Sequence, residues 1–505
     1  MTDTSVSVTL VGIALTQLKM NFTSLNNVNN ETKDMVVLSV PWTETTFAIM
    51  APAALKPIVE KAGLSCLAID LNGDIVNLVN NHPNKEEIIS FFFDGYVNKQ
   101  IESWLNDMFI SAATQIVSYK PKYVGISVFS YLGQHSMKWL AYFIRKLDPT
   151  IKIIIGGPGC LQHNFTGPAP LAEELVTNGI VDYHIRGDGE HALFELLTGN
   201  DVYAGINDPT WKELNREELS LLPIPDYTDY DFSIYNKKIL GIMGSRGCVR
   251  KCKFCDYIEN WKNFTWRTAD HVFAEMIEQN KKYNIRTFKF QDALTNGNLK
   301  EFHRFTSLLS EYNRANPDNS FSWSGYYIFR ERIPTSERDW ELLAGSGAEI
   351  LIVGIENLNE HIRYHMGKKF SNASIDFHLE QAQKYGIKIN FLALVGWVNE
   401  VRKDIDYTKK WLDEHVRFKD VLTFQWGGSL GIFTNTYLDR HKDELGITMI
   451  GSNPQAWVNK ETGSTPALRA EWVTELNDHS KALGYTVHER LDNHFILETL
   501  MNAKN

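Results

Sequence analysis

Cysteine is scarce in this 505-residue chain, and long apolar runs are missing. Only five cysteines occur, Cys66, Cys160, Cys248, Cys252 and Cys255. An odd number, with three inside eight residues, does not read as a disulfide framework; it reads as a metal site in a reducing compartment. No hydrophobic stretch approaches the ~20 residues that cross a bilayer. The apolar stretch from Val6 to Leu15 follows Asp3 and no basic residue, which makes a poor secretory signal and a better strand. Positive charge is short too: the net charge of −10 argues against a broad nucleic-acid-binding surface. Internal repeats and low-complexity tracts are absent. What is present, 43% hydrophobic and 22% charged residues, is the composition of a folded soluble protein long enough for two or three domains. The expectation is a cytoplasmic chain with neither membrane nor nucleic acid as partner.

The first 200 residues alternate strand-like and helix-like segments. Apolar runs at 36–40, 66–71, 123–128, 151–155 and 180–185 are separated by helical spacing over 47–61, 100–118 and 134–147. Continuous apolar strands alternating with helices imply a parallel, doubly wound (Rossmann-like) sheet. Glycines fall at the strands' C-terminal ends, in Gly156-Gly157-Pro158-Gly159 and Gly187-Asp188-Gly189-Glu190, where such a sheet lets a ligand reach the backbone. Each glycine taken singly also reads as a tight turn.

Residues 201–237, with Pro209, Pro223 and Pro225 and an aromatic–acidic stretch from Asp226 to Phe232, form a connector. A second strand–helix series follows, with strands at 239–243, 287–290, 322–328, 349–353 and 388–395 and helices near 269–283, 298–311, 335–345, 372–384 and 402–414. This fits a partial (β/α) TIM-type barrel over 238–410, with its site at the strands' C-terminal ends. Residues 411–505 are a small C-terminal extension, expected to face substrate through Gln425, Trp426 and Tyr437. Trp397, Trp426, Trp457 and Trp472 read as packing residues, and Cys66 and Cys160 as packed thiols.

The segment from Gly244 to Cys255 carries the chemistry. A cysteine followed by others at +4 and +7 is roughly a one-in-ten-thousand coincidence at this cysteine content. Three thiolates on one loop can meet a single inorganic centre. A closed zinc site would want a fourth protein ligand. An iron–sulfur cubane held by three cysteines instead leaves one iron open to a ligand. Arg246, Arg250, Lys251 and Lys253 would lower the thiol pKa values and balance an anionic cluster, or would simply be a solvated turn. A zinc knuckle remains the alternative.

With Phe254 before the third cysteine, this loop resembles that of the radical S-adenosylmethionine (SAM) superfamily. The resemblance implies a 4Fe-4S cluster on Cys248, Cys252 and Cys255. Its open iron binds the amino and carboxylate groups of SAM, and an electron from the cluster releases methionine and a 5′-deoxyadenosyl radical. Gln291-Asp292 is similar to the family's acidic strand end for the methionine ammonium. Gly354-Ile355-Glu356-Asn357 resembles a later strand end, and Glu356 would contact ribose or methionine. Leu394-Val395-Gly396, with Glu400 and Asp404 beyond, resembles the adenine-flanking strand, although Trp397-Val398-Asn399 stands where many relatives have a Pro-Gly turn. Phe254, Ser324, Arg330 and Val395 are further implied SAM contacts.

Residues 1–200 resemble the cobalamin-binding domain that precedes the barrel in one branch of the superfamily. Ser127, Ser130, Gly156, Gly157, Gly159, Gly187 and Glu190 would be its cofactor contacts. The Asp-x-His-x-x-Gly motif that gives cobalt a histidine ligand is absent, and residues 41–47 stand in its place. The implied function is a cobalamin-dependent methyltransferase acting on an unactivated carbon of a small molecule or peptide, with a flavodoxin or ferredoxin as reductant. A ring-forming or rearranging radical enzyme with a vestigial cobalamin domain is the alternative, and a non-catalytic zinc- or cluster-bearing module a third reading.

Overall fold

The computed structural model describes residues 20–488, apart from 27–30, 44, 46, 161–170, 236, 331–336 and 452. The stretch from 6 to 15 and the last residues of the chain lie outside that range.

Five short strands open the fold: β1 Met35–Ser39, β2 Cys66–Asp70, β3 Tyr123–Ser127, β4 Lys152–Gly156 and β5 Tyr183–Ile185. They pair in parallel in the order β2-β1-β3-β4-β5. Both faces of this sheet are covered, which is why its strands read as unbroken apolar runs. Val36, Leu38, Val124, Ile126, Ile153 and Ile155 point to one side, under the helices Lys99–Ser118 and Gln134–Leu147. Met35, Val37, Ile154 and Ile185 point to the other, against Val59 and Leu193 from the helices Met50–Lys61 and Gly189–Leu197. The sheet is doubly wound, and its C-terminal edge carries every glycine turn singled out from sequence.

The second sheet is built from β6 Ile239–Ile242, β9 Thr287–Phe290, β10 Ser322–Tyr327, β11 Ala348–Glu356, β12 Lys388–Val395, β13 Leu422–Ser429 and β16 Thr486–Val487. All seven pair in parallel, in the order β16-β13-β12-β11-β10-β9-β6, and among the described residues the two ends do not meet, so the barrel is open. A hairpin of β7 Ser245–Arg246 and β8 Thr265–Trp266 crosses its mouth, and β14 Ile447–Met449 pairs with β15 Trp457–Asn459. The sheet runs past residue 410: β13 and β16 lie in the stretch assigned to the C-terminal extension and extend the barrel. Trp426 accordingly faces outward, its indole N–H donating to Ser480 Oγ (3.0 Å) on the helix Pro466–Ala482, and does not overlook the mouth. Trp397, Trp457 and Trp472 are buried as well.

The connector does more than join. Tyr227, Tyr230 and Tyr235 are buried in the barrel's own core, beside Ala53 and Ala68 of the first domain. The Tyr235 hydroxyl donates to Asp70 (2.6 Å) at the end of β2, and the Tyr230 hydroxyl to the Ile49 carbonyl (2.8 Å). Among the described residues, no helix is long and apolar enough to cross a membrane.

Candidate active site

The loop bearing the three cysteines leaves β7 at the barrel mouth. Its start is clamped by Asp292, at the end of β9, which accepts the Gly244 N–H (2.8 Å) and the Ser245 hydroxyl (2.7 Å). Gly247 sits at φ +80°, where a Cβ would lie 2.0 Å from the Asn263 carbonyl oxygen, so only glycine passes. Within the loop, the Cys255 N–H donates to the Cys252 carbonyl (3.2 Å) and the Lys253 N–H to the Met366 carbonyl (3.1 Å). The turn at Met366-Gly367, after β11, therefore forms the floor on which the loop lies. The edge of Phe254 meets Trp397 (6.4 Å between centroids), and the Lys253 ammonium lies 5.1 Å from the Tyr437 ring. Trp397, at the place of the family's Pro-Gly turn, is thus the wall behind the aromatic that precedes Cys255.

Burial sets the electrostatics. It pushes the Cys255 thiol up to about 12 and raises Cys252, so loading a metal must displace protons. The cation that most opposes this at Cys252 is Lys368, with Arg250 a smaller influence. The loop's own positive charge is therefore not the main compensation expected from sequence. Lys368 is buried 3.0 Å from Glu356. Burial opposes its charge, but Glu356 and Cys252 outweigh this and hold it protonated. Glu356 reaches Lys368 from φ +60° at a bulge where β11 pairs with β12, a conformation that costs a non-glycine residue about 1–3 kcal/mol.

The remaining strand ends gather round this loop unevenly. Gln291 is exposed, while Asp292 is enclosed, with its carboxyl pushed up to about 7 by burial. Ser324 is half-buried on β10. Arg330 donates to the Asn296 (2.7 Å) and Gly297 (3.0 Å) carbonyls; burial lowers its pKa, and Arg250 lowers it further. Val395 is buried at the end of β12. Beyond it, Glu400 accepts the Gly396 N–H, the Asn357 amide (both 2.6 Å) and the Trp397 N–H (3.0 Å), and Asp404 accepts the Asn359 amide (2.9 Å). These acids stitch the loop after β11 to the loop after β12.

The first domain presents its C-terminal edge to the same region. Gly156 ends β4, and Gly157 (φ +99°) and Gly159 pack so closely on 128–130 that a Cβ would lie 2.4 Å from the Val128 and 2.3 Å from the Ser130 carbonyl oxygen. Ser127 ends β3 half-buried, and Phe129 beside it is 74% exposed. Phe47, in the loop that replaces the histidine motif, lies over the Lys289 ammonium of β9 (4.4 Å). Gly187 turns the chain at φ +91° against Lys212, and Glu190 beyond it pairs with Arg246 at the root of the cysteine loop.

Residues 242–412 match the family described as the Radical SAM superfamily. That stretch of the chain is a radical SAM domain. Among curated relatives, it is 23% identical over 280 residues to an anaerobic magnesium-protoporphyrin IX monomethyl ester cyclase of Synechocystis, covering 52% of each chain. It is 22% identical over 332 residues to an uncharacterised methyltransferase of Pyrococcus horikoshii, covering 62% of this chain and 68% of the relative. The chain thus spans about half the length of the cyclase. Among solved structures, the methyltransferase TsrM of Kitasatospora setae, with cobalamin and a 4Fe-4S cluster bound, superposes with TM-score 0.63 at 15% identity over 94% of this chain and all of that one. The cobalamin-dependent radical enzyme OxsB superposes with TM-score 0.58 at 13% identity, over 94% and 75%. At such identities the two show a shared fold.

A radical SAM domain implies a 4Fe-4S cluster and SAM, and the donor set fits. Three cysteines stand on one loop, and among the described residues no three His, Cys, Asp or Glu side chains gather round a single metal-ion position. A cubane takes each thiolate at a separate corner, and Lys368 supplies buried positive charge beside Cys252. When bound, the cluster supplies the electron that cleaves SAM.

Of the residues lining the barrel's concave face, sequence reasoning singled out Ser324 and Gln425 and missed the others. Phe288, Phe290, Trp323, Leu351, Val353, Phe391 and Phe424 pack outward on the helices, so the alternate positions Lys289, Ser324, Tyr326, Ile350, Asn390 and Gln425 face inward. Period-two alternation along β9–β13 was the available signal. The pairing of Lys368 with Glu356, and that of Asp188 and Glu190 with Arg246, carried none.

Proposed function

We propose that the chain is a cobalamin-dependent radical SAM methyltransferase that adds a methyl group to an unactivated carbon of a small molecule or peptide, drawing electrons from a flavodoxin or ferredoxin. The observation that carries this reading is the docking of the first domain: loops at its sheet's C-terminal edge meet the barrel through Asp188 and Glu190 at the root of the cysteine loop and through Phe47 at Lys289. Ser127, Ser130, Gly156, Gly157, Gly159 and Gly187 are the proposed cobalamin contacts, short residues at the sheet's edge that would let a flat macrocycle approach the backbone. Glu190 stands at the margin of this set, committed to Arg246. No histidine occurs from 41 to 47, so the chain would leave cobalt without an imidazole ligand. Phe254, Gln291, Asp292, Ser324, Arg330, Glu356 and Val395 are the proposed surroundings of SAM, with Asp292 shaping the site through the Gly244-Ser245 clamp.

Anaerobic reconstitution with and without cobalamin tests this. Stoichiometric cobalamin with its visible absorption, together with S-adenosylhomocysteine beside deoxyadenosine among the SAM products, is the expected result. The cyclase relative supports a second reading, a ring-forming enzyme. Deoxyadenosine without S-adenosylhomocysteine, from protein that retains no cobalamin, would replace the first reading by the second.

A further inference from the structure

We propose that Asp188 and Glu190 of the N-terminal domain position the cysteine loop through Arg246, so that the domain preceding the barrel tunes the iron–sulfur cluster.

Arg246 lies two residues before Cys248, yet its guanidinium is spent on the other domain. One nitrogen stands 2.8 Å from Asp188 Oδ1 and 3.1 Å from Glu190 Oε2, and the second binds Glu190 Oε1. The three side chains are 14%, 3% and 8% exposed, so the contact is shielded from water. Both Glu190 oxygens go to Arg246. Asp188 is fixed from two further directions, accepting the Trp261 indole N–H (3.0 Å) and the Leu214 N–H (2.6 Å). The turn that delivers them tolerates only glycine at 187, where a Cβ would fall 1.9 Å from the Lys212 carbonyl oxygen.

This is one of several links binding the same two segments. The Glu213 carboxylate accepts the Lys262 (3.1 Å) and Asn263 (3.0 Å) N–H groups, Trp211 meets Trp261 edge-on at 5.0 Å, and Arg216 lies 5.2 Å over Trp266. The stretch from 187 to 216 therefore grips both ends of the stretch from 246 to 266, and the three cysteines are the loop left between.

Packing alone would not need charge. Burial raises the Asp188 pKa, whereas Arg246 outweighs burial at Glu190 and holds that carboxylate ionised at the root of the loop, where a low local dielectric makes its charge felt. Reduction adds an electron to the cluster, so that charge makes reduction harder. Removing a carboxylate should ease reduction, and removing the guanidinium should hinder it.

The test uses the full chain, reconstituted anaerobically with iron and sulfide, and reads iron per chain, the EPR spectrum of the reduced cluster and its midpoint potential. Glu190→Gln keeps the volume and should retain iron while shifting the potential positive and altering the EPR signal. Arg246→Gln should shift it negative or lose iron, and Arg246→Lys should restore the potential toward wild type. A Glu190→Gln protein of full iron content with unchanged potential and EPR spectrum would overturn the proposal, whatever becomes of the Arg246 variants. Cobalamin plays no part in the measurement, so the outcome is independent of the methyltransferase reading.

Discussion

Glu400 is enclosed at the barrel mouth, where it joins Asn357 to the backbone of Gly396 and Trp397. Burial pushes its carboxyl up to about 7 against the opposition of those N–H donors. The native state then holds the proton more tightly than the unfolded chain, whose value is near 4.5. The stability this gives is complete below about pH 4.5 and is lost as pH rises through about 7. Glu400→Gln removes the titration and adds a constant offset from rearranged hydrogen bonds. The difference in Tm between variant and wild type should therefore move in the variant's favour from pH 5 to pH 8. A difference that stays flat would show that the three donors keep Glu400 ionised throughout. At the cysteines the expectation is categorical: Cys255→Ala should lower bound iron and reduce deoxyadenosine formation from SAM to background. Chromatography of the SAM products checks it, and a variant that still makes deoxyadenosine would overturn the assignment of Cys255 to the cluster.

Single elements explain what the sequence disclosed and what it hid. The strands Thr287–Phe290 and Lys388–Val395 were legible to the residue because apolar residues alternate along them between a preceding helix and a following turn. β13 was not: two glycines and a serine close its sequence Leu-Thr-Phe-Gln-Trp-Gly-Gly-Ser and cut the strand signal short. The helix Leu71–Asn80 also escaped, since Asn72, Gly73, Asn77 and Asn80 are poor helix formers. Tertiary packing decides there: a Cβ on Gly73 would lie 2.7 Å from Ile234 of the connector. The cysteine spacing pointed to the proposed cluster ligands, whereas Lys368–Glu356 depends on a bulge, and Glu190–Arg246 joins residues 56 apart that meet only when the domains dock. The loop after β12 supplies a test at this scale. Gly396 stands at φ +86°, and a Cβ there would lie 2.1 Å from Arg469 Cδ. Arg469 cannot easily yield, being held by Ser464 Oγ (3.0 Å) and the carbonyls of Gln455 (2.8 Å) and Trp457 (3.0 Å). Gly396→Ala should cost about 1–3 kcal/mol from backbone strain alone, read as a lower urea midpoint.

Across the whole molecule, the connector ties together two domains that each have a core. Its three buried tyrosines belong to the barrel core, while Asp229 turns back to the first domain. There it accepts the Lys56 ammonium (2.7 Å) and the Ala68 N–H (3.0 Å). The Lys56 side chain is only 7% exposed, with Asp226 a more distant second partner at 3.7 Å. Burial disfavours its charge, but the two aspartates outweigh this and hold its pKa above the usual lysine value. Removing one partner of a buried pair costs about 3–5 kcal/mol because a charge is left without compensation. Asp226 limits that loss, so Asp229→Asn should cost at most about 3 kcal/mol. Because Asp229 hangs on a segment embedded in both cores, the penalty should fall on both domains together. In calorimetry the full chain should show one transition that moves down intact in Asp229→Asn. A variant in which only part of the heat absorption moves, splitting the transition, would show that the domains unfold separately and that the strap does not couple them.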